Sequence, residues 1–96
     1  MMARLSRDPA NLAKLIDRRV AGRVRARRLG IGMTQQTLAE SIGVAFQQVH
    51  KYETGISRIT VGRLSDIADA LRVPITYFFA IDGERERMHR EAGNDD

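Results

Sequence analysis

The block from Gln35 to Thr54, QQTLAESIGVAFQQVHKYET, constrains this chain more than any other stretch. It reads as two short helices joined at a tight corner. Ala39, Gly43 and Val49 each meet a geometric demand there. Helices crossing at a steep angle need a small residue where they touch, and Ala39 supplies it. The corner needs left-handed backbone, which glycine adopts without steric cost, so Gly43 marks the turn. The second helix needs one apolar side chain aimed back at the first, and Val49 is placed for it. Leu38, Ile42, Val44 and Tyr52 complete the buried side.

Such a pair is a helix-turn-helix pattern, in which the second helix enters the major groove of DNA. The Ala-Gly-Val spacing alone also fits an ordinary packed helix pair, so the rest of the chain must decide between them.

Ninety-six residues allow one small domain with a modest core. The chain has no cysteine, which excludes disulfide and thiolate-zinc readings and suits a reducing compartment. No apolar run approaches the roughly 20 residues needed to span a bilayer. The N-terminus, MMARLSRDPANLAK, lacks the apolar stretch of a secretory signal. A cytoplasmic, nucleoid-associated protein without membrane contact is expected. The net charge of +4 is unevenly spread: residues 1–33 carry net +7, residues 34–81 net zero, and residues 82–96 net −3. A basic N-terminal third suits a polyanion, although a charge run also suits a solvated helix face.

Asp8 and Pro9 look like an N-cap and a first-turn proline. Leu12, Ile16, Val20 and Val24 then recur at intervals of four, the stripe of a first helix from about Pro9 to Leu29. Thr34 caps a second helix, ended by Gly43. A third begins near Ala45 or Phe46 and stops at Gly55. Ile56 to Ile59 form a loop. Thr60 caps a fourth helix with Val61, Leu64, Ile67, Ala68 and Leu71 on its apolar side. Pro74 opens a short fifth helix, with Ile75, Phe78 and Phe79 facing the core and Tyr77 outward. The layout is an N-terminal arm at 1–8, a domain at 9–81 with the helix pair at 35–54, and a polar, flexible tail at 82–96. Five helices without a strand signal make an all-α fold.

The chain resembles the Cro/C1-type (XRE) helix-turn-helix family over about residues 20–80. Arg28, the run Gly32-Met33-Thr34-Gln35, Leu38-Ala39 and Tyr52-Glu53-Thr54-Gly55 carry the likeness. So do Leu64, Ile67-Ala68, Ala70-Leu71-Arg72-Val73, Ile75 and Phe78-Phe79, and the run FQQVHKYE is similar to a subgroup of bacterial regulators. The resemblance implies a compact five-helix, lambda-repressor-like domain that binds double-stranded DNA as a homodimer. It departs at Ala45, where family members commonly have Ser or Thr as a cap.

The resemblance implies DNA-binding positions at Thr34, Gln35, Ala45, Phe46, Gln47, His50, Lys51, Thr54 and Arg58. Gln35 sits where a helix start faces phosphate, and can also brace the beginning of the third helix. The Gln47 amide suits the N6 and N7 edge of adenine. Phe46 suits either a thymine methyl or a hydrophobic staple onto the second helix. Gln48 lies off the groove-facing line. His50 and Lys51 lie one turn beyond Phe46 and Gln47 and share their face. Arg58 lies in the following loop, a place for backbone contacts, with Ser57 and Thr54 able to add neutral phosphate bonds. Arg23, Arg25 and Arg27 act through their field or form a solvated face. The resemblance pairs Arg28 with Glu53 as an inward ion pair, structural in purpose.

A transcriptional regulator on an operator with two half-sites is the leading expectation. An antitoxin-type interaction protein, which also binds a protein partner, is the alternative. An enzyme is not expected: the chain has no paired-carboxylate candidate, no HExxH and no phosphate loop between strand and helix. No metal site or cofactor is expected, because His50 has no second ligand at a useful spacing. No aromatic platform for stacking RNA bases is visible.

Overall fold

Four α-helices and one 3₁₀ turn make up the computed structural model, which describes residues 9–80 and the side chains of 11–80. They are α1 (Pro9–Gly30), α2 (Gln35–Ile42), α3 (Phe46–Thr54), α4 (Val61–Leu71) and the 3₁₀ turn (Ile75–Phe78). The expected Asp8 cap, the N-terminal arm and the tail at 82–96 lie outside the described residues.

The start and stop signals act through local hydrogen bonds. Thr34 Oγ1 accepts from the Thr37 N–H at 3.0 Å, and Thr60 Oγ1 accepts from the Arg63 N–H at 3.1 Å. Each satisfies one donor that the first helical turn leaves without a partner. Gly43 (φ 74°) ends α2 and Gly55 (φ 82°) ends α3, both left-handed. The Val44 N–H then closes on the Ala39 carbonyl at 3.0 Å, which turns the chain sharply into α3.

Helix α4 ends differently. Arg72 adopts the left-handed conformation at φ 61° and is the only non-glycine residue with positive φ among the described residues. The Arg72 and Val73 N–H groups bond the Asp69 and Ala68 carbonyls at 3.2 and 3.1 Å, so the cap is complete despite the residue type. An L side chain in that conformation costs about 1 kcal/mol relative to glycine. Arg72→Gly is therefore expected to raise the melting temperature by about 4–8 °C in a thermal unfolding scan.

The core forms where α3 packs on α2 and on the C-terminal half of α1, with α4 and the 3₁₀ turn closing the other side. Val24, Leu38, Val49, Ile67, Leu71 and Phe78 are fully buried, and Ala39 at 1 % exposure keeps α2 close to α3. Two arginines tie helix ends across this core. Arg27 Nε donates to the Leu71 carbonyl at the end of α4 (3.0 Å), and Arg63 Nη1 donates to the Ile42 carbonyl at the end of α2 (2.6 Å). Cations suit these positions because carbonyls without intrahelical partners gather at helix C-termini.

Five expectations need correction. Leu12 and Ile16 are not core residues: residues 11–19 are all exposed, and Ile16 borders an open cleft rather than packed side chains. Val61 opens α4 and stands 78 % exposed. The fifth helix is a 3₁₀ turn, and this exchanges the roles of its aromatic residues. At 3.6 residues per turn Phe79 would lie about 40° from Ile75 around the axis; at 3.0 it lies about 120° away. Phe79 is accordingly 49 % exposed rather than facing the core. Tyr77, expected to point outward, is half-buried against the core. Its ring meets Phe78 edge-on at 5.3 Å, and the Arg23 guanidinium lies 6.0 Å from its centroid.

Candidate nucleic-acid interface

The orientation of α3 follows from which side it buries. Val49 and Glu53 are buried, while Gln48 and Tyr52 are half-buried. Phe46, Gln47, His50, Lys51 and Thr54 are therefore left on the outward side, all exposed. These positions, spaced by one and by four, form one continuous face. The face presents an aromatic ring, an amide, an imidazole and an ammonium group to solvent. Helix α2 crosses behind it, so α3 is supported along its inner side and open along its outer side.

Buried charge anchors this arrangement. Arg28 in the last turn of α1 and Glu53 in the last turn of α3 are each only 6 % exposed. The guanidinium grips the carboxylate with two bonds, Nε to Oε2 at 2.6 Å and Nη2 to Oε1 at 2.9 Å. A third donor, Gln35 Nε2 from the first residue of α2, reaches the same Oε1 at 2.9 Å. Arg28 Nη1 also donates to the Met33 carbonyl at 2.7 Å, just before α2 begins. One carboxylate thus holds the ends of three helices, and charge-assisted bonds of this kind are short and directional. Gln35 braces the end of α3, not its beginning as expected, because the start of α2 packs beside the last turn of α3.

The remaining sequence candidates separate into engaged and open groups. The Thr34 hydroxyl donates to Thr37 Oγ1 at 2.9 Å while accepting the capping bond, so both its capacities serve α2. Thr54 Oγ1 donates back to the His50 and Lys51 carbonyls at 3.0 and 3.3 Å, so it closes its own helix. Ala45 caps α3 in extended backbone without any side-chain bond, which leaves its first N–H groups without a capping oxygen. Arg58 Nε lies 3.3 Å from Asp17 Oδ2, but the two side chains are 79 % and 48 % exposed. A pair so open to water contributes little, and a phosphate can compete for the arginine. Of the helix α1 arginines, Arg27 caps α4 and Arg23 lies beside Tyr77, while Arg25 stays exposed. Nothing in the sequence pattern marked Arg27 or Arg63 as helix caps, because their partners are backbone carbonyls that only the fold brings near.

A second surface was not foreseen. A cleft of about 580 Å³ runs between the first half of α1, the loop after α3 and the start of α4. Ile16, Ile56, Val61 and Phe79 line it with their exposed apolar side chains. Among the described residues, no group of three or more His, Cys, Asp or Glu side chains is placed to hold a metal ion. No helix among them is long and apolar enough to cross a membrane.

Known proteins share this pattern. The chain is 55 % identical over 65 residues to a transcriptional regulator in the ATPase CF(0) region of Rhodospirillum rubrum, covering 68 % of this chain and 60 % of that one. It is 47 % identical over 64 residues to an HTH-type transcriptional regulator of Sinorhizobium medicae, covering 67 % and 46 %. Over 79 residues it is 44 % identical to the HTH-type transcriptional regulator y4wC of Sinorhizobium fredii, covering 82 % and 55 %. The chain thus spans about half the length of these curated relatives. The helix-turn-helix family model HTH_3 matches residues 24–78, from the buried half of α1 to the end of the 3₁₀ turn. With α2 and α3 set as the two helices of that motif, the chain belongs to the XRE-type (Cro/C1) helix-turn-helix family.

Proposed function

We propose that the protein is a sequence-specific DNA-binding transcriptional regulator, acting at the nucleoid, that reads an inverted-repeat operator as a homodimer. The observation that carries the reading is the outward face of α3, where Phe46, Gln47, His50 and Lys51 stand exposed together on a helix braced from behind. Gln47 and His50 read base edges in the major groove. Lys51 and Arg58 neutralise phosphates, and the amides that start α2 and α3 face the DNA backbone. Gln35 has its amide on Glu53, so its contribution is to hold α2 and α3 in register for those contacts.

The two kinds of contact have different signatures. Gln47→Ala is expected to lose about 1–3 kcal/mol of discrimination at one base position. Arg58→Ala is expected to weaken binding alike on all sequences and to flatten the salt dependence. Selection of binding sites from a random pool, repeated with each variant, separates them. An unchanged preference for Gln47→Ala would mean that α3 is not the reading helix, or not by this face.

A single α3 covers about half a turn of DNA, which is too little for specificity. Two copies place two such helices in successive major grooves roughly 34 Å apart and double the phosphates neutralised. The seam is placed at the 3₁₀ turn and the exposed Phe79 ring that follows it. Phe79 is half-exposed beside Ile56 and Val61, and an apolar surface of that kind is commonly an interface. Sedimentation of the free protein and of its operator complex is expected to give two chains per duplex. One chain per operator at saturating protein sinks the dimer.

A further inference from the structure

Phe46 is the first residue of α3 and is 45 % exposed. An aromatic ring at a helix start usually has a packing task, the hydrophobic staple. That task belongs to the residue before the N-cap and to the fourth helical residue. In α3 these are Val44 and Val49. Val49 is 1 % exposed within the core, and Val44 packs against the same cluster. The staple positions are therefore filled without Phe46, which lies outside the core cluster. Gln47 lies beside it and His50 one turn on, both exposed, so the ring adds an apolar plate to an otherwise polar face.

The edges of DNA bases offer few partners for such a plate. In the major groove the N7, O6, O4, N4 and N6 positions are all donors or acceptors, and only the C5-methyl group of thymine is apolar. A phosphate would leave the ring without any favourable interaction. We propose that Phe46 is a methyl-reading residue that packs on the C5-methyl group of one pyrimidine in each half-site, thymine in ordinary DNA. The inference rests on the reading of α3 as the DNA-facing helix and adds the chemical group that one of its residues selects. The same site accepts 5-methylcytosine in place of thymine as far as the methyl contact is concerned.

The test uses a duplex obtained by site selection with the wild-type protein. Each thymine of one half-site is replaced singly by deoxyuridine, which removes the methyl group and leaves base pairing intact. At one position the wild type is expected to bind the uracil duplex about fourfold more weakly, the equivalent of one buried methyl group. Phe46→Ala is expected to bind the thymine and uracil duplexes alike, while Phe46→Leu keeps part of the preference. Uracil tolerated by the wild type at every position overturns the proposal, as does a Phe46→Ala protein as sensitive as wild type. A fall of more than about 10 °C in the melting temperature of Phe46→Ala assigns the ring to packing and overturns it too. If the wild type selects no sequence at all, the DNA-reading assignment of α3 fails, an outcome distinct from those three.

Discussion

Glu53→Ala is expected to destabilise the domain by about 3–5 kcal/mol, because it strands the buried Arg28 guanidinium without its counter-charge. For a domain of this size that is a fall in melting temperature of more than about 12 °C. The carboxylate accepts two bonds from Arg28 and one from Gln35, and its side chain is fully shielded from water. Breaking a buried pair on one side is far costlier than removing both partners, so the double variant Arg28→Leu, Glu53→Leu is expected to recover much of the loss. Glu53→Gln keeps an acceptor for one donor and is expected to fall between wild type and Glu53→Ala. Thermal or denaturant unfolding of the four proteins checks the order. A Glu53→Ala protein melting within error of wild type would show that the pair contributes no net stability. DNA binding offers a second readout, since the same carboxylate holds the end of α3 against α1 and α2.

Phe78→Ala is expected to cost about 3–5 kcal/mol, as for other fully buried aromatic residues. Phe79→Ala, one residue later, is expected to cost less than about 1 kcal/mol in the monomer. The contrast rests on exposures of 0 % and 49 % at the last residue of the 3₁₀ turn and the residue that caps it. Phe79 should instead report on assembly. Phe79→Ala is expected to shift sedimentation toward single chains while leaving the melting temperature of dilute protein nearly unchanged. Equal stability losses for the two variants would mean that the segment winds as an α-helix, with both rings inside.

The helix pair was legible before any coordinates because its demands are local. Thr34 and Thr60 caps, the Gly43 corner and the Gly55 stop each involve residues within a few positions of one another. Ala39 and Val49 were legible because a steep crossing admits few residue types. The outward side of α3 followed from the inward side, given its period. The bidentate pair of Arg28 and Glu53 came from likeness to a family rather than from spacing, since the two are 25 positions apart.

Other features escaped for one shared reason. Leu12 and Ile16 continue the stripe of Val20 and Val24, yet periodicity states only which side of a helix is apolar. It does not say how closely a neighbour approaches along that side, and at Ile16 the loop after α3 and the start of α4 leave a cleft open. Arg27 and Arg63 bond backbone carbonyls of distant helices, partners that every residue type offers equally. The choice of a 3₁₀ over an α turn at Ile75–Phe78 is worth little locally, and packing against α1 and α4 decides it. The sequence by itself determined where each helix starts, where it stops and which side it buries, because those are contests between near neighbours. Only the tertiary structure decided how much of each apolar side is covered, because coverage depends on the length and position of elements that meet only once the chain has folded.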